Sequence, residues 1–174
     1  MPTVPKSWMS NVEMKRIICH WTAGGYSASE NDLLHYHILI DGGGQLHRGT
    51  HSIADNVSAG DGDYAAHTRG LNSASIGVSV CCMAGAKESP FQPGNAPMKK
   101  LQWDAMIDVV AQLCQKYEIP VTPNTVLGHG EVQKNIGVVQ HGKWDPMKLP
   151  FEPNLTKSQV GARLRAEVSA KLAD

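Results

Sequence analysis

The sequence has no surplus of charge of either sign: 16 Lys and Arg are matched by 16 Asp and Glu. Without a global field, neither nucleic acid nor an anionic membrane surface is an expected partner, and any polyanion would have to be met by a local patch. No segment approaches the roughly 18 apolar residues of a membrane span, so stable membrane insertion is not expected. The opening stretch MPTVPKSWMSNVEMKR holds no apolar core of signal-peptide length, and synthesis in the cytoplasm without a signal peptide is expected. Cysteine is sparse: Cys19, Cys81, Cys82 and Cys114 lie inside apolar segments, and no CxxC occurs. That excludes a cysteine zinc cluster and leaves buried free thiols as the expected state. Internal repeats, low-complexity tracts and linkers are also lacking, so residues 1–174 are expected to form a single domain, working as a monomer.

What is present is a chain long enough for one substantial core, with 41% hydrophobic residues in periodic segments. Residues 1–15 read as an irregular arm. Residues 16–21 read as a short strand, and 29–35 as a short helix or turn with Ser29 as its N-cap. Residues 36–40 and 45–48 flank DGGG and predict a hairpin, the glycines supplying the turn. Residues 49–74, rich in Gly, Asp, Ser and Asn, look like a long surface excursion of the kind that carries function.

Ser75 begins SIGVSVCCM, a central strand by its alternation of Ile76, Val78, Val80 and Cys82 with smaller residues. Residues 84–97 form a loop. From 98 to 117, apolar positions 101, 105, 106, 109, 110, 113, 114 and 117 predict a helix with one broad buried stripe, closed by Pro120 and Pro123. Residues 125–128 read as another short strand. A final helix over about 157–172 starts at Thr156, which forms a capping box with Gln159, while Leu155 and Val160 can form a hydrophobic staple. Strands alternating with helices imply an α/β fold, a mixed central sheet flanked by helices.

Two strands end on histidine. IICH and TVLGH place His20 and His129 where β-branched runs give way to loops, and ligands of open α/β sheets gather beyond the carboxyl ends of strands. A catalytic zinc usually takes three protein ligands and leaves one position for water. Asp145 in HGKWDP is the candidate third ligand, with Lys143 two residues earlier on the same side of an extended segment.

In this order, HWTAG at His20, YHILIDGGGQLHRG from Tyr36, AHTRGLNSASIGVSV from Ala66, GHGEV at Gly128 and KWDP at Lys143 carry a resemblance. The chain resembles the type 2 N-acetylmuramoyl-L-alanine amidases, which include phage lysozyme-amidases, muropeptide-recycling amidases and animal peptidoglycan recognition proteins. The match runs over about residues 16–150. It implies one Zn2+ ion at the carboxyl edge of the strands, held by His20, His129 and Asp145. It implies that Tyr36 contacts the zinc-bound water or the developing oxyanion, and that Lys143 stabilises negative charge during turnover. By the same resemblance, His67 and Asn72 line the groove for peptidoglycan, the implied substrate and partner. The implied reaction is hydrolysis of the amide between N-acetylmuramic acid and L-alanine by a phage-type endolysin that reaches the cell wall after release or delivery.

Two departures stand out. Recycling amidases carry a glutamate as general base on the strand matching SIGVSVCC, whereas this chain has Ser79 and Cys81, which shifts proton handling toward Tyr36 and the metal. KNIGVVQHG looks like an insertion before Asp145, and it brings in His141 as a rival third ligand. Trp21 and Trp144, beside the candidate ligands, have two readings: sugar-stacking platforms of the groove, or packing residues. His37 alternates away from Tyr36 and reads as structural or as a partner behind the site, Glu131 as a solvated loop carboxylate or a residue that orients the site, and Cys19 as core. Competing functions are a peptidoglycan-binding module without catalysis and a recycling amidase acting on soluble anhydro-muropeptides.

Overall fold

A computed structural model describes all 174 residues. Five strands form one sheet: β1 (Arg16–Trp21), β2 (Ile38–Ile40), β3 (Leu46–Arg48), β4 (Ser75–Val80) and β5 (Val126–Gly128), in the spatial order β3-β2-β4-β1-β5. The pairs β2/β4, β4/β1 and β1/β5 are parallel, and β3 adds an antiparallel edge through the hairpin. The helices are α1 (Glu30–His35), α2 (Lys100–Tyr117), α3 (Val132–Ile136) and α4 (Lys157–Ala173). Ser29 caps α1 and Thr156 caps α4, each in a capping box.

The alternation of the strands divides the sheet into two unlike faces. Ile17, Cys19 and Trp21 of β1 register with Ile76, Val78 and Val80 of β4, and with Ile38 and Ile40 of β2 beyond. All are buried in the main core with α2 and α4, where each aliphatic side chain contributes about 1.5–3 kcal/mol of burial. The opposite face carries Ile18, His20, Gly77, Ser79 and Leu39. Part of it is closed by a small cluster of Ile18, Leu127 and Val132, and the rest is polar. The functional groups therefore stand on the face that the long helices do not cover.

The expectations for Leu101 and for residues 49–74 change. Leu101 is 47% exposed; it lies over the β2–β3 turn beside Gly44 instead of over the sheet. Gln102 is buried in its place, and its Nε2 donates to the carbonyls of Asp41 and Cys81. Residues 49–74 are not simply a surface excursion: Asn56, Ala65, His67, Thr68 and Asn72 are buried against the polar face of the sheet. The arm before β1 holds a 3-10 turn at Lys6–Trp8, and it is anchored: Val4 and Met14 are buried and Gln112 of α2 bonds the backbone at Pro2 and Val4. Glu118 ends α2 in the left-handed region, two residues ahead of Pro120. All four cysteines are free and buried.

Candidate metal centre

The parallel pairing of β1 with β5 ends at Cys19 and Gly128. The next residue after each is a histidine, His20 still within β1 and His129 opening a 3-10 turn after β5, so the two emerge side by side about one strand spacing apart. Their Nδ1 atoms are 3.1 Å from each other. Asp145 completes a triangle, with Oδ2 3.2 Å from His20 Nδ1 and Oδ1 3.3 Å from His129 Nδ1. The segment carrying Asp145 is tied to the His129 turn by the Gly130 N–H, which donates to the Asp145 carbonyl at 2.8 Å. His20, His129 and Asp145 are all buried, and they form a cluster of potential metal ligands.

The surrounding hydrogen bonds decide what these atoms offer. Gln140 Nε2 donates to the Arg69 carbonyl, which turns its Oε1 toward His129 Nε2 at 2.7 Å. His129 must then carry a proton on Nε2, and a neutral ring presents a bare Nδ1 to the triangle. Burial pushes the His20 imidazole down to about 4, so this ring is neutral at pH 7. Three potential ligand atoms thus crowd together. A proton on His129 would reconcile one edge of the triangle, whereas a cation among the three reconciles every edge.

A tetrahedral zinc ion with donors at about 2.0–2.1 Å places those donors about 3.3 Å apart. The observed edges of 3.1, 3.2 and 3.3 Å match that spacing. Two nitrogens and one carboxylate oxygen also suit zinc chemically. His141 does not join the cluster: it is exposed, adopts a φ of 53°, and directs Nε2 toward Arg69 Nη1 at 3.5 Å.

An open cleft of about 810 Å³ lies over the triangle, bordered by Tyr36, Lys143, Arg69, His141 and Trp144 among others. The Tyr36 ring is 5.1 Å from that of His20. Burial, reinforced by the charge of Asp145, raises its hydroxyl, which therefore keeps its proton. Ser79 is fully buried with an unpartnered Oγ, and burial pushes the Cys81 thiol up to about 12, so neither is a base at neutral pH. Arg69 and Lys143 have no carboxylate partner and give the cleft wall positive charge.

The sequence-proposed groove residues Trp21, His67 and Asn72 border the cleft, and each is also held by internal contacts. Asn72 Oδ1 accepts the backbone N–H groups of both His67 and Thr68. Trp21 alternates onto the helix face, is 5% exposed and packs edge-on against Trp144 at 4.7 Å. His37 accepts the Gly77 N–H and faces Asn56 Oδ1, a structural arrangement. Glu131 is not solvated: it is buried, accepts the Gly128 N–H and forms a two-point ion pair with Arg165 of α4. Gln140 and Arg165 were missed from sequence, because a polar side chain distant along the chain carries no periodic signal.

The family profile described as N-acetylmuramoyl-L-alanine amidase matches residues 10–148. The chain belongs to this amidase family. A search of curated protein sequences gives no match. Solved structures resembling this amidase include PlyL, at 19% identity over 97% of this chain and 94% of that one, with a TM-score of 0.51. The Ph2119 endolysin from Thermus scotoductus MAT2119 bacteriophage Ph2119 aligns at 17% identity over 90% and 87%, with a TM-score of 0.50. Staphylococcus aureus hydrolase AmiA, in complex with its ligand, aligns at 15% identity over 92% and 76%, with a TM-score of 0.56. These likenesses show a shared fold.

Proposed function

We propose that this amidase holds one zinc ion between His20, His129 and Asp145 and hydrolyses the amide joining the lactyl group of N-acetylmuramic acid to L-alanine in peptidoglycan. The observation that carries the reading is the triangle of potential ligand atoms with edges of 3.1–3.3 Å at the floor of the open cleft. Zinc bound there would supply a Lewis acid for the amide carbonyl and lower the pKa of water.

The chain's own residues divide the remaining work. Two neutral imidazoles and one carboxylate leave a divalent ion with net positive charge, which favours the anionic transition state. The protonated Tyr36 hydroxyl donates a hydrogen bond to the developing oxyanion without bringing a competing charge. Lys143 places a cation beside the same charge. Arg69 and Lys143 together suit the carboxylates of a stem peptide laid along the cleft wall. Lacking a carboxylate at Ser79 or Cys81, the chain is better suited to intact wall than to the soluble anhydro-muropeptides of recycling. We read the setting as that of a phage-type endolysin acting after release or delivery, a reading that the fold shared with the Ph2119 endolysin supports. A non-catalytic binding module has no need of a third ligand, and Asp145 is present.

Purified peptidoglycan digested with the zinc-loaded protein should release new L-alanine amino termini, identified by mass spectrometry. Zinc should be found at one ion per chain, and chelation should stop release. Full zinc loading with no new amine would leave the binding module as the surviving reading. Digestion of soluble muropeptides in preference to sacculi would move the protein to the recycling class.

A further inference from the structure

His67 borders the cleft, and both of its ring nitrogens are engaged inward. Its Nε2 lies 3.2 Å from the carbonyl of Ser75, and a carbonyl only accepts. The proton of the ring must therefore be on Nε2. A second proton would make a buried imidazolium whose ring nitrogens face only His20, Thr68 and a carbonyl, with no carboxylate to pair it. His67 Nδ1 is thus an acceptor. It lies 3.2 Å from His20 Nε2 and 2.9 Å from Thr68 Oγ1, while Thr68 Oγ1 is 3.4 Å from His20 Nε2. His20 can donate to His67 directly or through the threonine hydroxyl. Either arrangement puts the His20 proton on Nε2 and leaves Nδ1 bare toward Asp145 and His129.

We infer that His67 is a positioning residue, which presets the tautomer and ring orientation of His20 for metal through the chain Ser75 carbonyl, His67, His20. The inference rests on the zinc reading above. The geometry around His67 holds it to this one task. Its ring lies against β4 at Gly77, where a Cβ would stand 2.6 Å from His67 Cγ, so a larger residue there would displace it. Its backbone N–H is held by Asn72 Oδ1 at 3.0 Å. Edge-on contacts at 5.2 Å to His20 and 5.7 Å to His37 fix the ring plane. Gln140 does the equivalent for His129, so both imidazole ligands have a dedicated acceptor behind them. Such partners of ligating histidines typically change metal affinity ~10–100-fold when removed.

The test compares His67→Phe, which cannot accept a hydrogen bond, with His67→Gln, whose amide oxygen can. Zinc affinity is measured by chelator competition, beside thermal melts of the metal-free forms. His67→Phe should bind zinc ~10–100-fold more weakly than wild type and His67→Gln should recover most of the loss, while the two metal-free variants melt alike. Wild-type affinity in His67→Phe would overturn the inference. Should the variants fail to fold, 15N–1H correlation of the ring nitrogens in the metal-free wild type decides the matter. Protons on Nε2 of both His20 and His67 are expected, and a proton on His67 Nδ1 refutes the relay. Failure of the wild type to bind zinc would sink the zinc reading, and the ring-nitrogen spectrum would still judge the relay.

Discussion

Lys143 is the residue whose contribution separates most cleanly from metal binding, because its side chain lies at the exposed rim of the cleft and outside the ligand triangle. Lys143→Ala should keep its zinc while losing ~10²–10³ in turnover, the usual effect of removing one group that stabilises an oxyanion. Metal analysis and amine-release rates on the same preparation check both halves, and loss of zinc would show that the ammonium supports the ligands instead. The three ligand candidates were legible from sequence because each ends or follows a recognisable segment. His20 and His129 terminate β-branched runs, and Asp145 sits in a Trp-Asp-Pro turn. A loop carboxylate beside glycine has no apolar context to betray burial, so the interior position of Glu131 is not legible in the sequence. Its partner, Arg165, is 34 residues away.

Helix α4 shows how an element far from the chemistry bears on it. Arg165 donates Nη2 to Glu131 Oε1 at 3.0 Å and Nη1 to the Val126 carbonyl at 3.1 Å, while Glu131 receives the Gly128 N–H at 2.9 Å. The helix thereby braces the turn that carries His129. Gly161 is the point of closest approach: a Cβ there would overlap the Glu131 carboxylate. Gly to Ala within a helix ordinarily gains about 1 kcal/mol. Gly161→Ala should instead destabilise by about 2 kcal/mol or more, because it presses apart a buried ion pair whose disruption leaves an uncompensated charge. A raised melting temperature would contradict this. At this scale the sequence was informative: the bounds of β1 and the capped starts of α1 and α4 follow from apolar periodicity and capping residues. The ladder of β2 starts two residues later than Tyr36 because Tyr36 closes α1, its N–H bonded to the Asp32 carbonyl. Leu101 misled because periodicity gives a helix face, not what stands opposite it.

For the whole molecule, the proposed zinc and acidity would act on the same folded state. Zinc at a thousand times its dissociation constant stabilises by about 4 kcal/mol, which for a chain of this size is on the order of 10 °C in melting temperature. Melts with zinc and with chelator should differ by that amount; coincident curves would speak against a metal centre. Acid should weaken the metal-free protein well before ordinary carboxylates titrate. Burial pushes His37 down to about 4, against about 6.5 unfolded, so between these values the unfolded chain binds the extra proton. Stability is complete above pH 6.5 and declines toward pH 4, by on the order of 3 kcal/mol for this group. A flat profile of melting temperature across that window would refute it. The α/β class and sheet arrangement followed from the order of segments, whereas the burial of residues 49–74 did not, since polar composition hides a hydrogen-bonded interior. The brace between Arg165 and Glu131 also sets where the catalytic unit can be excised. A fragment trimmed to residues 10–148, the span the family profile recognises, would leave a carboxylate two positions past His129 without its guanidinium, so grafting this unit onto a wall-targeting protein requires carrying α4 along.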